Sequence, residues 1–149
     1  MNICIIGGGL TSLSLAKNLI NKKINVHIYY QNKVQKLALS RTIGISKNNL
    51  EFFKKEIYKI PIKNCWEIKK IEIYSQKLKN ENLLKFESKK NELFYMVKND
   101  ELYKSLSKKI FKSKFLKKIK IKDNFNEETL NKKKYDLIIN CSSDNFLSK

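Results

Sequence analysis

The chain has 149 residues, is 42% apolar and 11% aromatic, and carries a formal charge of +18. That length fits one domain spanning residues 1–149, and the apolar content excludes a disordered chain. Of its 32 basic residues all but Arg41 are lysine, so the arginine forks that read guanine are missing and no specific nucleic-acid partner is expected. Lysine, asparagine and isoleucine share A/T-rich codons, which accounts for much of the charge without a polyanion.

"NICII" is a short apolar run ending at glycine, the pattern of a strand buried in a parallel sheet. From Leu10, apolar residues recur at Leu13, Ala16, Leu19 and Ile20, a helical spacing that breaks near Asn21. "INVHIYY" (24–30) is a second strand. Strand, glycine turn, helix and strand form a βαβ unit of ~30 residues with a right-handed crossover. The stretch "QNKVQKLALSRTIG" starts polar and irregular, and Ser46 then caps a helix whose Leu50, Phe53 and Ile57 share a face, ended by Pro61. "IKKIEIYSQ", "LLKFESKK" and "ELFYMVKN" alternate and read as antiparallel strands with one wet face. Asn99 or Asp100 is expected to cap a helix carrying Leu102, Leu106 and Ile110. "FLKKIKIKDNF" reads as a strand with a solvated edge, "NEETLNKKK" as a polar excursion, and "YDLIINC" (135–141) as a buried strand rejoining the parallel sheet. The expected architecture is a three-layer α/β domain: a Rossmann-like parallel sheet with a small antiparallel β insertion.

Gly7-Gly8-Gly9 follows a strand and opens a helix, the context of a dinucleotide fingerprint. Gly7 permits the tight turn, Gly9 lets a backbone approach a pyrophosphate, and the N–H groups of Leu10, Thr11 and Ser12 point toward the anion. Ser12 stands where the third glycine of the pattern belongs. The competing reading is a plain strand–helix turn. No aspartate or glutamate occurs between Met1 and Leu50, so Tyr30 takes the place of the acid that normally grips the adenosine ribose. Lys33 and Lys36 follow, either to meet a 2′-phosphate or as solvated loop lysines.

Three scattered cysteines, Cys4, Cys65 and Cys141, form no disulfide framework and no zinc spacing, so no metal site is expected. His27, the sole histidine, lies mid-strand, where packing explains it better than catalysis. No catalytic constellation is visible. No apolar run reaches the length of a membrane span, and the opening strand has no signal-peptide layout, so the cytoplasm is the expected location.

Taken together, "CIIGGGLTSLSLAKNL", "INVHIYY", "LALSRTIGISKNNLEFF", "ELFYMVKNDELYKSL" and "YDLIINCSSDNFLSK" resemble the FAD-dependent aromatic monooxygenases, especially the ubiquinone-biosynthesis hydroxylases. The resemblance implies an FAD-binding part, with Arg41 near the flavin diphosphate (a structural salt bridge is the alternative) and NAD(P)H as co-substrate of an intact relative. It covers the first third to half of such an enzyme, without the substrate-pocket sheet. Independent hydroxylation is therefore not expected, and a complementary C-terminal half or other biosynthetic proteins are the implied partners, with peripheral membrane contact compatible. Ser142 and Ser143 stand where the family has Asp-Gly, Phe146 where it has serine, and Lys149 where it has arginine. These departures leave two other readings open: a degenerate module without cofactor acting in interaction or structure, and a small NADP-binding protein.

Overall fold

The structure is a computed structural model and describes residues 1–31, 41–75, 81–88, 92–121, 125, 130 and 134–142. The opening βαβ unit forms as its periodicity predicts. Strand β1 (Asn2–Ile6) and strand β2 (Asn25–Tyr30) pair in parallel, Ile3 opposite Val26 and Ile5 opposite Ile28. Helix α1 (Leu10–Asn21) makes the crossover.

Strand β3 (Thr42–Ile45) starts the antiparallel insertion. Helix α2 (Lys47–Phe52) follows, with Ser46 Oγ accepting the Asn49 N–H at 3.3 Å, as an N-cap should. One π-helical turn, Phe53–Ile57, extends it. The helix ends at Tyr58, which is already extended, ahead of Pro61. Strands β4 (Cys65–Ile68), β5 (Lys70–Ser75), β6 (Glu81–Glu87) and β7 (Phe94–Lys98) complete the insertion. They form two sheets, β3-β7-β4 and a separate β5-β6 hairpin, all antiparallel. On the hairpin, Lys70 faces Glu87 and Glu72 faces Lys85, while Ile71 faces Phe86 and Ile73 faces Leu84. The expectation of one wet face fails for β6, which is exposed throughout.

Helix α3 (Asn99–Ile110) carries Leu102, Leu106 and Ile110 inward as its spacing requires. The cap is different from the sequence expectation. Lys98 occupies the N-cap position with no side-chain cap bond, and Asn99 and Asp100 lie buried in the first turn. Asp100 pairs along the helix with Lys104, Nζ to Oδ2 at 3.0 Å.

Strand β8 (Leu116–Lys120) runs parallel to β2, and strand β9 (Leu137–Asn140) runs parallel to β1. The parallel sheet has the order β8-β2-β1-β9. The central strands β1 and β2 are the buried ones. β9 was expected to be buried as well, but it is an edge, with Leu137 46% exposed. Strand alternation sends Ile3, Ile5, Val26 and Ile28 to the face covered by α1 and α3, where Leu13, Ala16, Leu102 and Leu106 meet them. It sends Cys4, Ile6 and Tyr29 to the other face, against Leu130, Phe125 and Tyr135. His27 Nδ1 is 2.7 Å from the Tyr135 hydroxyl, which lies 3.0 Å from that of Tyr29, so the histidine belongs to the packing of this face.

Candidate functional site

The glycine turn is built by the end of β1 and the start of α1. Gly7 has φ +120, a region that disfavours side chains, and its N–H donates to the Tyr29 carbonyl at 2.8 Å. A Cβ on Gly7 would stand 3.0 Å from the Cys141 carbonyl carbon and oxygen and from Ser12 Oγ. Cys141 is held there by its own N–H, which donates to the Ile6 carbonyl at 2.8 Å. So the first glycine is fixed both by its dihedral and by the chain leaving β9. Gly8 is less constrained, since its Cβ would meet only Tyr30 Cβ, at 3.4 Å.

Gly9 is the N-cap of α1, with extended backbone and no side-chain cap. Its carbonyl accepts the Leu13 N–H at 3.1 Å. Among the described residues, a Cβ on Gly9 would meet nothing within 4 Å, so they leave this face of the turn open. Among the described residues, the N–H groups of Gly9, Leu10, Thr11 and Ser12 have no acceptor. No acid stands in the first turn of α1 to offset the positive end of the helix dipole. Unpaired donors, positive potential and open space coincide at one corner of the sheet.

Ser12 fills the place of the third glycine. It is fully buried, and its hydroxyl has no hydrogen-bond partner of ordinary geometry. The hydroxyl lies beside the Gly7 turn and Cys141, whose thiol is pushed up by burial against an opposing pull from a hydrogen bond with Ser12. Serine therefore fits between helix and strand, but its hydroxyl has at best the weak Cys141 thiol beside it.

Tyr30 closes β2 beside the turn, its carbonyl accepting the Ile121 N–H at 2.9 Å. Where the fingerprint would have a carboxylate, a cation is found. Lys118 Nζ sits 4.8 Å from the centre of the Tyr30 ring and 3.8 Å from that of Phe111. Lys120 lies directly opposite Tyr30 in the β2–β8 register. The sequence reading looked for basic groups at Lys33 and Lys36, which lie outside the described residues. It missed Lys118 and Lys120, although the alternation in "LKKIKIK" puts both on one face of a strand.

Arg41 stands just before β3, exposed, with its carbonyl accepting the Asn99 N–H at 3.0 Å. Among the described residues no carboxylate pairs with its guanidinium, so the salt bridge offered as the alternative is not formed there. The structure thus gathers Gly7, Gly8, Gly9, Leu10, Thr11, Ser12 and Tyr30 at one corner and sets Arg41 on the antiparallel sheet. Ser142, in the position of the expected aspartate, turns back on Asn140, to whose Oδ1 its N–H and Oγ donate at 3.0 and 2.7 Å. Ser143, Phe146 and Lys149 lie outside the described residues. Among the described residues no group of three or more His, Cys, Asp or Glu converges, and no helix is long and apolar enough to cross a membrane.

No family model and no curated protein matches the chain. Solved structures do match its fold. It is similar to a probable FAD-dependent monooxygenase, pqsL, from Pseudomonas aeruginosa, with TM-score 0.65 and 13% identity over 87% of this chain and 36% of that one. It is similar to p-nitrophenol 4-monooxygenase PnpA from Pseudomonas putida DLL-E4, with TM-score 0.62 and 9% identity over 79% and 31%. It is also similar to Klebsiella pneumoniae HpxO complexed with FAD and uric acid, with TM-score 0.59 and 16% identity over 79% and 30%. The chain spans about a third of the length of these structures. At such identities the likeness establishes the fold: a mixed α/β arrangement shared with FAD-dependent monooxygenases, with the glycine turn at the carboxyl end of its first strand.

Proposed function

We propose that the chain is the FAD-binding portion of a flavoprotein hydroxylase of the ubiquinone-biosynthesis type, one domain that needs a complementary part, in cis or from another chain, for catalysis. The observation that carries this reading is the open face at Gly9 beside the unpaired N–H groups of Gly9, Leu10, Thr11 and Ser12. These donors would hold the diphosphate of the cofactor, and Arg41 would add a charged contact. The residues present fit the diphosphate half of FAD and depart from it at the adenosine ribose, where Tyr30 offers one hydroxyl in place of two anionic oxygens. When bound, the flavin supplies the oxygen chemistry, with NAD(P)H as the reductant of the completed enzyme. This chain would bind and orient the cofactor, in the cytoplasm, with other biosynthetic proteins as its partners.

Flavin that copurifies with the protein, and FAD binding by calorimetry that weakens at least about tenfold in Gly9→Val, are the expected results. FAD binding that persists unchanged in Gly9→Val would remove the turn as the site. A colourless protein with no thermal shift in excess FAD would instead support a cofactor-free interaction module, the reading favoured by Ser142 folding back on Asn140.

A further inference from the structure

The β5-β6 hairpin repeats one short pattern on its two strands. β5 carries Lys70-Ile71-Glu72 and β6 carries Lys85-Phe86-Glu87, each a lysine, a large apolar residue and a glutamate. Run antiparallel, such a triplet is complementary to itself: each lysine meets a glutamate, and the apolar residues meet each other. The hairpin is one instance, with Lys70 opposite Glu87, Ile71 opposite Phe86 and Glu72 opposite Lys85. Opposite charges placed across strands in this way stabilise the pairing, and like charges oppose it. The outer edge of β6 offers a second instance. Among the described residues β6 pairs with β5 alone. All seven of its residues are exposed, whereas β5 is half-buried at Ile71, Glu72 and Ser75. Lys85 and Glu87 close on each other within the strand, Nζ to Oε2 at 2.6 Å, an exposed ion pair that is cheaply exchanged for a cross-strand one. Charge also selects the partner. The chain carries +18, so two copies repel over most of their surface. Residues 70–87 hold four lysines and three glutamates, a net of +1, so the repulsion is relieved at the hairpin. An acidic partner would instead be drawn to the lysine-rich surface elsewhere.

We propose that a second copy of this chain pairs with the first edge to edge, β6 antiparallel to β6 about Phe86, so that two hairpins form one four-stranded sheet in the order β5-β6-β6-β5. The axis relating the copies passes at Phe86, and Lys85 lies opposite Glu87 of the other copy at two equivalent places. The two Phe86 rings, each half exposed in the single chain, become cross-strand neighbours. A two-stranded ribbon is marginal in water, and a four-stranded sheet with an apolar stripe is not. The interface uses elements other than the glycine turn and holds whether or not that turn takes a nucleotide.

The test is sedimentation velocity of the full chain at physiological salt. The expected result is a monomer–dimer equilibrium with a midpoint on the order of 10 to 100 μM, as a small edge contact allows. Lys85→Glu sets glutamate against glutamate at both places and should weaken the dimer at least about tenfold. The same change lowers the net charge, which would strengthen a nonspecific association, so the direction of the effect is diagnostic. The fourfold exchange Lys70→Glu, Glu72→Lys, Lys85→Glu, Glu87→Lys keeps every facing pair of the hairpin opposite in charge and leaves the net charge unchanged. It should dimerise as the parent does, yet form no mixed dimers with the parent, because like charges would then face each other across the new edge. Should the fourfold variant not fold, Lys85→Glu, a change at an exposed site, decides alone. A parent chain that stays monomeric up to about 200 μM overturns the inference. So does a dimer that Lys85→Glu leaves unchanged or strengthens, or a fourfold variant that mixes freely with the parent.

Discussion

Replacing Gly7 with alanine separates the two duties of the glycine turn, because the structure assigns them to different residues. At Gly7 the backbone has φ +120, and a new methyl would stand 3.0 Å from the carbonyl carbon and oxygen of Cys141 as well as from Ser12 Oγ. A strained dihedral of this kind costs about 1–3 kcal/mol. Two of the three close atoms are backbone and cannot rotate aside, so overpacking adds to the strain, for a total of about 2–4 kcal/mol. For a domain of this size that lowers the melting temperature by roughly 5–15 °C. Gly9→Ala is the internal control. Its φ of −80 suits any residue, and its new methyl touches none of the described residues within 4 Å. Only the preference of an N-cap for glycine over alanine is lost, less than about 1 kcal/mol. Thermal denaturation followed by circular dichroism reads both. A Gly7→Ala protein that melts within about 2 °C of the parent, or a Gly9→Ala protein that falls as far as it, would refute the assignment.

Three further outcomes follow from the same geometry. Ser12→Ala removes a buried hydroxyl that makes no hydrogen bond of ordinary geometry, so chemical denaturation should show a gain of about 1 kcal/mol, and a loss would mean that its pull on the Cys141 thiol is a stabilising bond. Glu92 is held at about 2, first by the Tyr95 hydroxyl at 2.6 Å and then by its own backbone N–H and the Lys47 ammonium. Its folded value lies below its ordinary 4.5, so its contribution to stability is present above that value and is lost as pH falls toward about 2. Tyr95→Phe should raise the Glu92 carboxyl titration, read by carbon NMR, and an unchanged titration would dismiss the hydroxyl as the cause. The β5-β6 hairpin forms a sheet by itself, with Ile73, Leu84 and Phe86 about half exposed. Two-stranded ribbons are marginal in water, so its amides should exchange faster than those of β1 and β2, and equal protection would contradict its isolation.

The parts of the fold that could be read from the sequence are those where one periodicity runs long enough to stand alone. α1 repeats its apolar residues across three turns, and β1 and β2 are continuous apolar runs that only a doubly covered strand tolerates. β3 and β4 escaped because each has four residues, too few to show alternation, and β3 contains Gly44. β9 looks as apolar as β1, yet nothing in "LIIN" says that one is central and the other an edge; that is a property of strand order. At α3 the cap was misplaced because Asn99 and Asp100 are both good caps by type, and residue type alone does not separate capping from an i,i+4 bond such as that of Asp100 to Lys104. The glycine turn was legible because three adjacent glycines leave few alternatives. Its cationic flank was not, since Lys118 and Lys120 reach it only through a pairing of strands some ninety residues apart.

The position of β1 between β2 and β9 sets an order of events during synthesis. Its pairing with β2 joins neighbours in the chain, while its pairing with β9 joins Ile3 to Leu137 and Ile6 to Asn140. A nascent chain can dock the first partner early, but the other edge of β1 stays bare until Leu137–Asn140 has left the ribosome exit tunnel. Throughout that interval a row of unpaired amides and carbonyls on a strand of four successive buried residues is open to foreign strands.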